Sequence, residues 1–312
     1  MNILLKMKPW FKAARLNFCI LTFLAYCAGA FAAMHHYKKL DVTVFFVGYA
    51  VVFIIQLLTI LINDYVDYEG DKVNNNASPY SGGSQVLVKG NLNFKDFRKS
   101  FFWVSLLLIL FTVLLFISVA KISVSPFYTG IIIVTGSFFS IGYSAPPFKF
   151  NYRGNGEIIG AFIGGSAVML CGWFFQAGTF QSAVPWVLSI PFFFAVLAML
   201  LVTEIPDHKA DETIGKMTLA VRKGPKYSAF AAIFAVLVAA TLAYILLNSG
   251  HIPGRWRWSF LFLGIHSSIL ILLLIKLIRQ NHFEKRMDKT LNLSLTFTLW
   301  FCIIPLFYYI LN

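Results

Sequence analysis

Asn63-Asp64-Tyr65-Val66-Asp67-Tyr68-Glu69-Gly70-Asp71 closes one long apolar stretch, and Glu204-Ile205-Pro206-Asp207-His208-Lys209-Ala210-Asp211 closes another. These two runs decide how the chain is read. Carboxylates bordering hydrocarbon are unfavourable unless something cationic neutralises them. On a helix Asp64, Asp67 and Asp71 stand at i, i+3 and i+7, which puts them on one face. Glu204, Asp207 and Asp211 repeat that spacing, with Pro206 expected to loosen the first turn. Three like charges on one face repel, and a divalent cation relieves the repulsion. Mg²⁺ suits the set, because it prefers carboxylate oxygens, keeps several waters and shares its shell with phosphate. Any one of these residues alone would read as an ordinary interfacial acid. Six of the 13 acidic residues of the chain fall in the two matched triplets, however, and that favours a metal site. His208 stands alone among acids and reads as solvated, and no His/Cys constellation has zinc spacing.

The rest of the chain is hydrocarbon-compatible. Hydrophobic residues make up 58%, charged residues 12%, and the mean hydropathy is +0.74. Nine stretches are long enough to cross about 30 Å of hydrocarbon at roughly 1.5 Å per residue. They lie at 16–35, 42–63, 101–120, 124–143, 157–178, 184–204, 227–248, 258–278 and 291–311. The expected fold is an all-α polytopic membrane protein, a single domain over 1–312, with nine transmembrane helices bundled around a central cavity. The basic lead-in of Lys6, Lys8, Lys12 and Arg15 precedes a long first span with more spans after it, so a cleaved signal peptide is not expected.

Lysine and arginine set the orientation. With the N-terminus in the cytoplasm, 21 of the 26 fall on the cytoplasmic side, and only Lys38, Lys39, Lys121, Arg255 and Arg257 fall on the other. Both acidic runs then face the cytoplasm of what reads as a bacterial or archaeal plasma membrane. The net charge of +13 is mostly this asymmetry, together with attraction to anionic lipid. A nucleic-acid partner is not expected, since no soluble domain carries the charge. Cys19, Cys27, Cys171 and Cys302 are scattered singly within spans and read as small apolar packing residues.

The two longest polar stretches, 64–99 and 205–226, each begin with acids and each contain a short apolar-and-basic segment ending in glycine. These segments are Ser84–Gly90 and Met217–Gly224. A loose internal repeat of spans one to four by spans five to eight accounts for this. Gly160, Gly164 and Gly165 in span five form a small-residue face for close helix packing. The 33 phenylalanines are too many for a cofactor site, and most should face lipid or neighbouring helices.

Basic residues near the acids complete the pattern. The loop Tyr143-Ser144-Ala145-Pro146-Pro147-Phe148-Lys149-Phe150-Asn151-Tyr152-Arg153-Gly154 carries two prolines and reads as a defined turn. Lys149 and Arg153 are within reach of a diphosphate, and the planar fork of arginine suits one. Both also serve as positive-inside charges. Arg15, entering span one from the cytoplasmic end, and Lys209, inside the second run, are further candidates for the diphosphate, with Asn63 beside the first acid.

At these residues the chain resembles the UbiA-type intramembrane prenyltransferases. The likeness is carried by N-D-x-x-D-x-x-x-D at Asn63–Asp71 and by the D-x-x-x-D pair Asp207 and Asp211. It extends to Gly215-Lys216 with Thr218-Leu219 and Val221-Arg222, and to Tyr143-Ser144-Ala145-Pro146-Pro147 with Tyr152-Arg153-Gly154. Ser81–Leu87 and Glu204–Asp207 look most like the 1,4-dihydroxy-2-naphthoate branch that leads to menaquinone. The sequence departs from that pattern at Thr203, Gln85 and Leu16, where the branch has Asn, Arg and Pro. The resemblance implies Mg²⁺-dependent alkylation of an aromatic acceptor by an isoprenyl diphosphate. Asp64, Asp67, Asp207 and Asp211 would bind metal, with Asn63, Asp71 and Glu204 in support. Tyr143 would face the allylic cation. A terpene cyclase, or a transferase to a sugar-phosphate or glycerol-phosphate acceptor, would use the same acids. A secondary transporter would carry its acids at mid-membrane rather than at helix ends.

Overall fold

Alanine and glycine recur on one face of the first span, and that face sets how closely the bundle packs. The computed structural model describes residues 3–248, 257–281, 283 and 287–311. Arg255, Lys285 and Arg286, which enter the charge count, lie outside the described residues. No strand occurs among the described residues. The helices are α1 (Ile3–Ala13), α2 (Leu16–Tyr37), α3 (Val42–Val66), α4 (Tyr68–Val73), α5 (Phe94–Lys121), α6 (Pro126–Gly142) and α7 (Gly156–Ala161). A π turn at Phe162–Ser166 joins α7 to α8 (Ala167–Ala177), and α9 (Val184–Thr213), α10 (Leu219–Arg222), α11 (Pro225–Asn248), α12 (Arg257–Gln280) and α13 (Asp288–Leu311) follow.

Side chains at the helix starts satisfy orphan N–H groups. Asp41 accepts from Val44 N at 2.8 Å ahead of α3, and Asn93 and Asp96 form a capping box at α5. Ala25, Ala28, Ala30, Ala32 and Ala33 are all buried on α2, which lies against α8. The approach is so close that a Cβ on Gly29 would sit 1.9 Å from the Met169 carbonyl oxygen, and one on Gly172 would sit 2.1 Å from that of Tyr26. This crossing, rather than the Gly160–Gly165 face alone, is where small residues let backbones meet. α3 packs on α5, α9 on α11, and α13 against both α2 and α9.

Among the described residues, eight helices are long and apolar enough to cross a membrane, counting Gly156–Ala177 as one. The protein is therefore an integral, multi-pass membrane protein. The stretch read as span four forms α6, a shorter apolar helix of 17 residues. Phe102, Trp103 and Ile109 on α5 and Phe234 on α11 are more than half exposed, as lipid-facing residues of a bundle would be. The four cysteines are unpaired, and three of them are buried in the bundle.

Candidate active site

α3 ends at Val66, yet the helical hydrogen-bond pattern continues: Asp67 N donates to Asn63 O and Asp71 N to Asp67 O, each at 2.9 Å. Asp67, at φ −85° and ψ 5°, bends the chain into α4. Pro206 does not end α9, which runs on to Thr213 and keeps Asp207 and Asp211 on one regular helix. Hydropathy alone ends the two spans at 63 and 204. Both helices extend past those points, because the acids at their ends find partners within the protein rather than in water.

The loop after α4 joins the two runs. Gly82 N donates to Asp207 Oδ2 at 2.8 Å and Ser84 N to Asp64 Oδ1 at 3.3 Å. Gly82 and Gly83 take φ +76° and +68°, a left-handed backbone that glycine adopts freely. Asn74, in the polar stretch after α3, donates its Nδ2 to Asp207 Oδ1 at 2.8 Å. Gln85, at φ +62°, donates from Nε2 to Gly82 O at 2.6 Å and Asp71 O at 3.2 Å. Where the resembling branch has arginine, this amide ties the loop to itself.

Two cations sit among the carboxylates. Arg15, in a left-handed corner (φ 45°) between α1 and α2, pairs with Asp64, which is 3% exposed. Lys216 Nζ lies 2.6 Å from Asp67 Oδ2 and 3.3 Å from Asp211 Oδ1, and so joins the first acidic run to the second. Burial works against the Lys216 charge, but Asp211 and Asp67 outweigh it and hold its pKa well above the usual lysine value. Burial pushes the Asp71 carboxyl up to about 7, against the pull of Arg15. Asp64 Oδ2, Arg15 Nε and Glu204 Oε2 are buried with no hydrogen-bond partner.

The proline-containing loop supplies a third wall. Tyr152 donates its hydroxyl to Asp67 Oδ1 at 2.6 Å, and Asn63 Nδ2 donates to Asp67 Oδ2 at 2.9 Å and to Ser144 Oγ at 3.0 Å. Lys149 Nζ lies 4.4 Å above the Tyr152 ring, one residue removed from the acids. Arg153 is exposed and folds back to donate to Pro147 O at 2.7 Å, so the turn carries it away from the carboxylates. Lys209 is exposed on α9, while Asp207 and Asp211 face inward. Glu157 is 5% exposed and accepts from Leu219 N, which fixes the start of α10.

A cavity of about 270 Å³ lies inside these walls, lined by Arg15, Asn63, Asp67, Asp71, Asp207, Asp211, Glu204, Lys216 and Tyr143. The two acidic runs thus face one chamber. Asp64 sits behind the cavity wall, against Arg15. A second, largely apolar chamber of about 390 Å³ lies deeper, between α3, α6 and α8, with Ile55, Phe139, Cys171 and Trp186 in its walls. Thr22, Gln56, Thr59, Ile60 and Gly164 line both chambers and form a throat between them.

The UbiA prenyltransferase family profile matches residues 21–301, nearly the whole chain. The chain belongs to this family. UbiA membership makes it a membrane prenyltransferase. No curated protein sequence matches it. Solved structures share the fold. A structure described as giving insights into digeranylgeranylglyceryl phosphate synthase in membranes is 20% identical, with 98% of each chain covered and a TM-score of 0.62. An apo UbiA homologue from Aeropyrum pernix K1 is 14% identical over 91% of this chain and 96% of its own, with a TM-score of 0.63. A UbiA homologue from Archaeoglobus fulgidus, bound to DMAPP and Mg²⁺, is 15% identical over 96% of this chain and all of its own, with a TM-score of 0.57.

Within this UbiA site the donors are of the type Mg²⁺ takes, carboxylate and amide oxygens, and Asp64 Oδ2 is a buried oxygen without a partner. Among the described residues no three His, Cys, Asp or Glu side chains are grouped to hold an ion as they stand. Arg15 is instead paired with Asp64, and Lys216 stands between Asp67 and Asp211. Lys216 and Tyr152 belong to motifs that carry the likeness but, like Asn74, have no site role that their spacing announces. Lys216 carried a signal, the Gly-Lys turn five residues past Asp211, but a lysine in a cytoplasmic loop looks the same when it serves topology alone.

Proposed function

We propose that this protein transfers an isoprenyl group from a prenyl diphosphate to an aromatic acceptor of the dihydroxynaphthoate type, with Mg²⁺, in quinone or prenylated-lipid biosynthesis. One observation carries the reading: an acid-and-cation chamber adjoins a largely apolar one, with Thr22, Gln56, Thr59, Ile60 and Gly164 shared at the throat between them. That pair of volumes suits a ligand with a charged head and a long hydrocarbon tail. The Archaeoglobus fulgidus homologues solved with DMAPP or GPP and Mg²⁺ support the same substrate class. α6 would serve as a ninth crossing, and the lysine and arginine asymmetry supports a cytoplasmic N-terminus and a site facing the cytoplasm.

The diphosphate would lie between Asp67 and Asp71 on one side and Asp207 and Asp211 on the other. Asp64, Asp67, Asp71, Asp207 and Asp211 would hold Mg²⁺, whose chemistry is to neutralise the departing diphosphate. Arg15 and Lys216 add positive charge, with Lys149 one residue further out. Tyr152 and Asn63 hold Asp67 in place through its two oxygens. Breaking the C1–O bond leaves an allylic cation at the throat. Tyr143, in the chamber wall, offers it an aromatic face. The apolar walls below keep water from quenching it. The electron-rich ring carbon of the acceptor attacks C1, and a diphosphate or carboxylate oxygen takes the displaced proton. The tail leaves into lipid, which explains a membrane location for the reaction.

The test uses the purified protein with geranylgeranyl diphosphate. Dihydroxynaphthoate, hydroxybenzoate or a glycerol-phosphate acceptor is added in turn, with and without Mg²⁺. Metal-dependent diphosphate release coupled to alkylated dihydroxynaphthoate is expected. Release that persists without metal, or in Asp67→Ala and Asp207→Ala, rejects the metal assignment. Release with no acceptor present indicates a cyclase, and ion-dependent uptake into vesicles without turnover indicates a transporter.

A further inference from the structure

Lys216 is the single side chain that joins the two acidic runs by ion pairs among the described residues. Its backbone N–H donates to Asp211 O at 3.0 Å, so the lysine is rooted at the end of the helix that carries its own partner. Its side chain is 14% exposed, and its head lies in the wall of the acid chamber, 5.9 Å from the Tyr152 ring. Asp67 is thereby filled: Oδ1 takes the Tyr152 hydroxyl, and Oδ2 takes Asn63 and Lys216. A divalent ion entering this chamber cannot share Asp67 Oδ2 and Asp211 Oδ1 with an ammonium group at 2.6 and 3.3 Å, because the two cations repel.

Resting on the metal and diphosphate reading above, we propose that Lys216 is an exchangeable internal counter-ion. It occupies the metal's place between Asp67 and Asp211 and yields it only when a diphosphate offers the ammonium a new partner. A lysine is suited to this, as a point charge on a flexible four-carbon stem that can swing while its backbone stays fixed. Gly215, at φ +72° with open space where a Cβ would be, leaves the turn before it uncrowded. The consequence is thermodynamic coupling. Metal alone binds weakly because it must evict a paired lysine. Metal with diphosphate binds well because the lysine moves onto the anion. By linkage, the metal raises affinity for the diphosphate by the same factor. Lys216 is in this sense a positioning residue, and the site stays charge-balanced in both states.

The experiment is Mn²⁺ binding to the purified full chain, followed by EPR of the free ion. It is run on wild type, Lys216→Met and Lys216→Arg, without diphosphate and with inorganic diphosphate, correcting for chelation in solution. Lys216→Met is expected to bind Mn²⁺ alone about tenfold more tightly than wild type, and to hold diphosphate at saturating Mn²⁺ at least tenfold more weakly. Lys216→Arg is expected to restore the wild-type pattern in part. A lysine that only held the fold together would, on removal, weaken both ligands. Melting curves and gel filtration identify a misfolded variant, and if Lys216→Met is one, Lys216→Gln and Lys216→Arg carry the comparison. Wild type that takes up Mn²⁺ with diphosphate, beside a folded Lys216→Met that binds Mn²⁺ no more tightly, overturns the exchange and leaves the metal reading standing. No Mn²⁺ binding by any of the proteins, with or without diphosphate, overturns both.

Discussion

Gly82 donates its backbone N–H to Asp207 at 2.8 Å, so the loop that follows the first acidic run is bonded to the second. The next residue, Gly83, lies against the first run: a Cβ there would fall 1.9 Å from Asp71 Oδ2. Two adjacent glycines in the left-handed region thus hold the two halves of the site at a fixed separation. Gly83→Ala is expected to lower stability by about 1–3 kcal/mol, through left-handed strain and displacement of Asp71. It should lower kcat/KM by at least tenfold, because Asp71 and the loop both shift. Thermal melts in detergent and steady-state kinetics check the two effects. An alanine variant with wild-type activity would show that the loop does not set the acid spacing.

Tyr152 has Lys149 and Lys216 4.4 and 5.9 Å from its ring and donates to Asp67 at 2.6 Å. Tyr152→Phe keeps the ring and removes the hydroxyl. A hydrogen bond to a charged group is worth about 1.5–3 kcal/mol. A loss of roughly ten- to hundredfold in kcat/KM is expected if Asp67 must be held during bond breaking. The prenyl diphosphate KM should move less than kcat. A change in KM alone would mean that Tyr152 helps to bind the donor and does not orient the acid.

The parts of this molecule that were legible in the sequence share a physical cause. Long apolar stretches have few ways to fold other than as spanning helices, and acids at their ends must find cations. Spacing puts each triplet of acids on one helix face, but the meeting of Asp67 and Asp211 in one chamber is a matter of how α3 and α9 pack. The extension of α9 through Pro206 does not follow from spacing either, because burial against neighbouring helices overrides the local preference of proline. Arg153 and Tyr152 are sequence neighbours, yet one reaches Asp67 and the other folds back to Pro147 O. A turn reverses side-chain direction within one residue, and no periodicity announces it. Lys149 similarly takes a left-handed backbone (φ 43°) and ends over an aromatic ring. α6, at 17 residues, shows that hydropathy fixes the centre of an apolar helix better than its length.

Arg15 and Arg153 should part company on mutation. Arg15→Met leaves Asp64, 3% exposed, with an unpaired charge. Breaking a buried pair costs about 3–5 kcal/mol, and the 22% exposure of Arg15 puts this one at or below the lower end. Arg15→Met with Asp64→Asn should recover most of that stability without recovering activity, since neither the carboxylate nor the guanidinium returns. Arg153→Ala, by contrast, removes one hydrogen bond to a surface carbonyl and should leave kcat/KM within about twofold. Diphosphate-release kinetics and melts on the four proteins separate these outcomes. A large loss in Arg153→Ala would mean that the loop swings toward the chamber when the donor binds.

Gly164 lies in the throat, lining both the acid chamber and the apolar one, and a Cβ built on it meets nothing within 4 Å. Its neighbours are crowded by comparison, with Gly160 packed on Leu200 and Tyr143, and Gly165 on Val196. The missing side chain at 164 leaves open space where the two chambers adjoin, and helix packing does not require it. Gly164→Ala should be tolerated. Gly164→Phe should fill the throat with an aromatic ring and sever the path from head chamber to tail chamber. A five-carbon donor needs little of that path and should keep much of its kcat/KM, while a twenty-carbon donor should lose at least tenfold, chiefly through KM. The ratio of dimethylallyl to geranylgeranyl diphosphate turnover measures this directly, and it is insensitive to any general loss of folded protein because both donors meet the same sample. An unchanged ratio would mean that the tail does not pass Gly164 and leaves the head chamber by another gap.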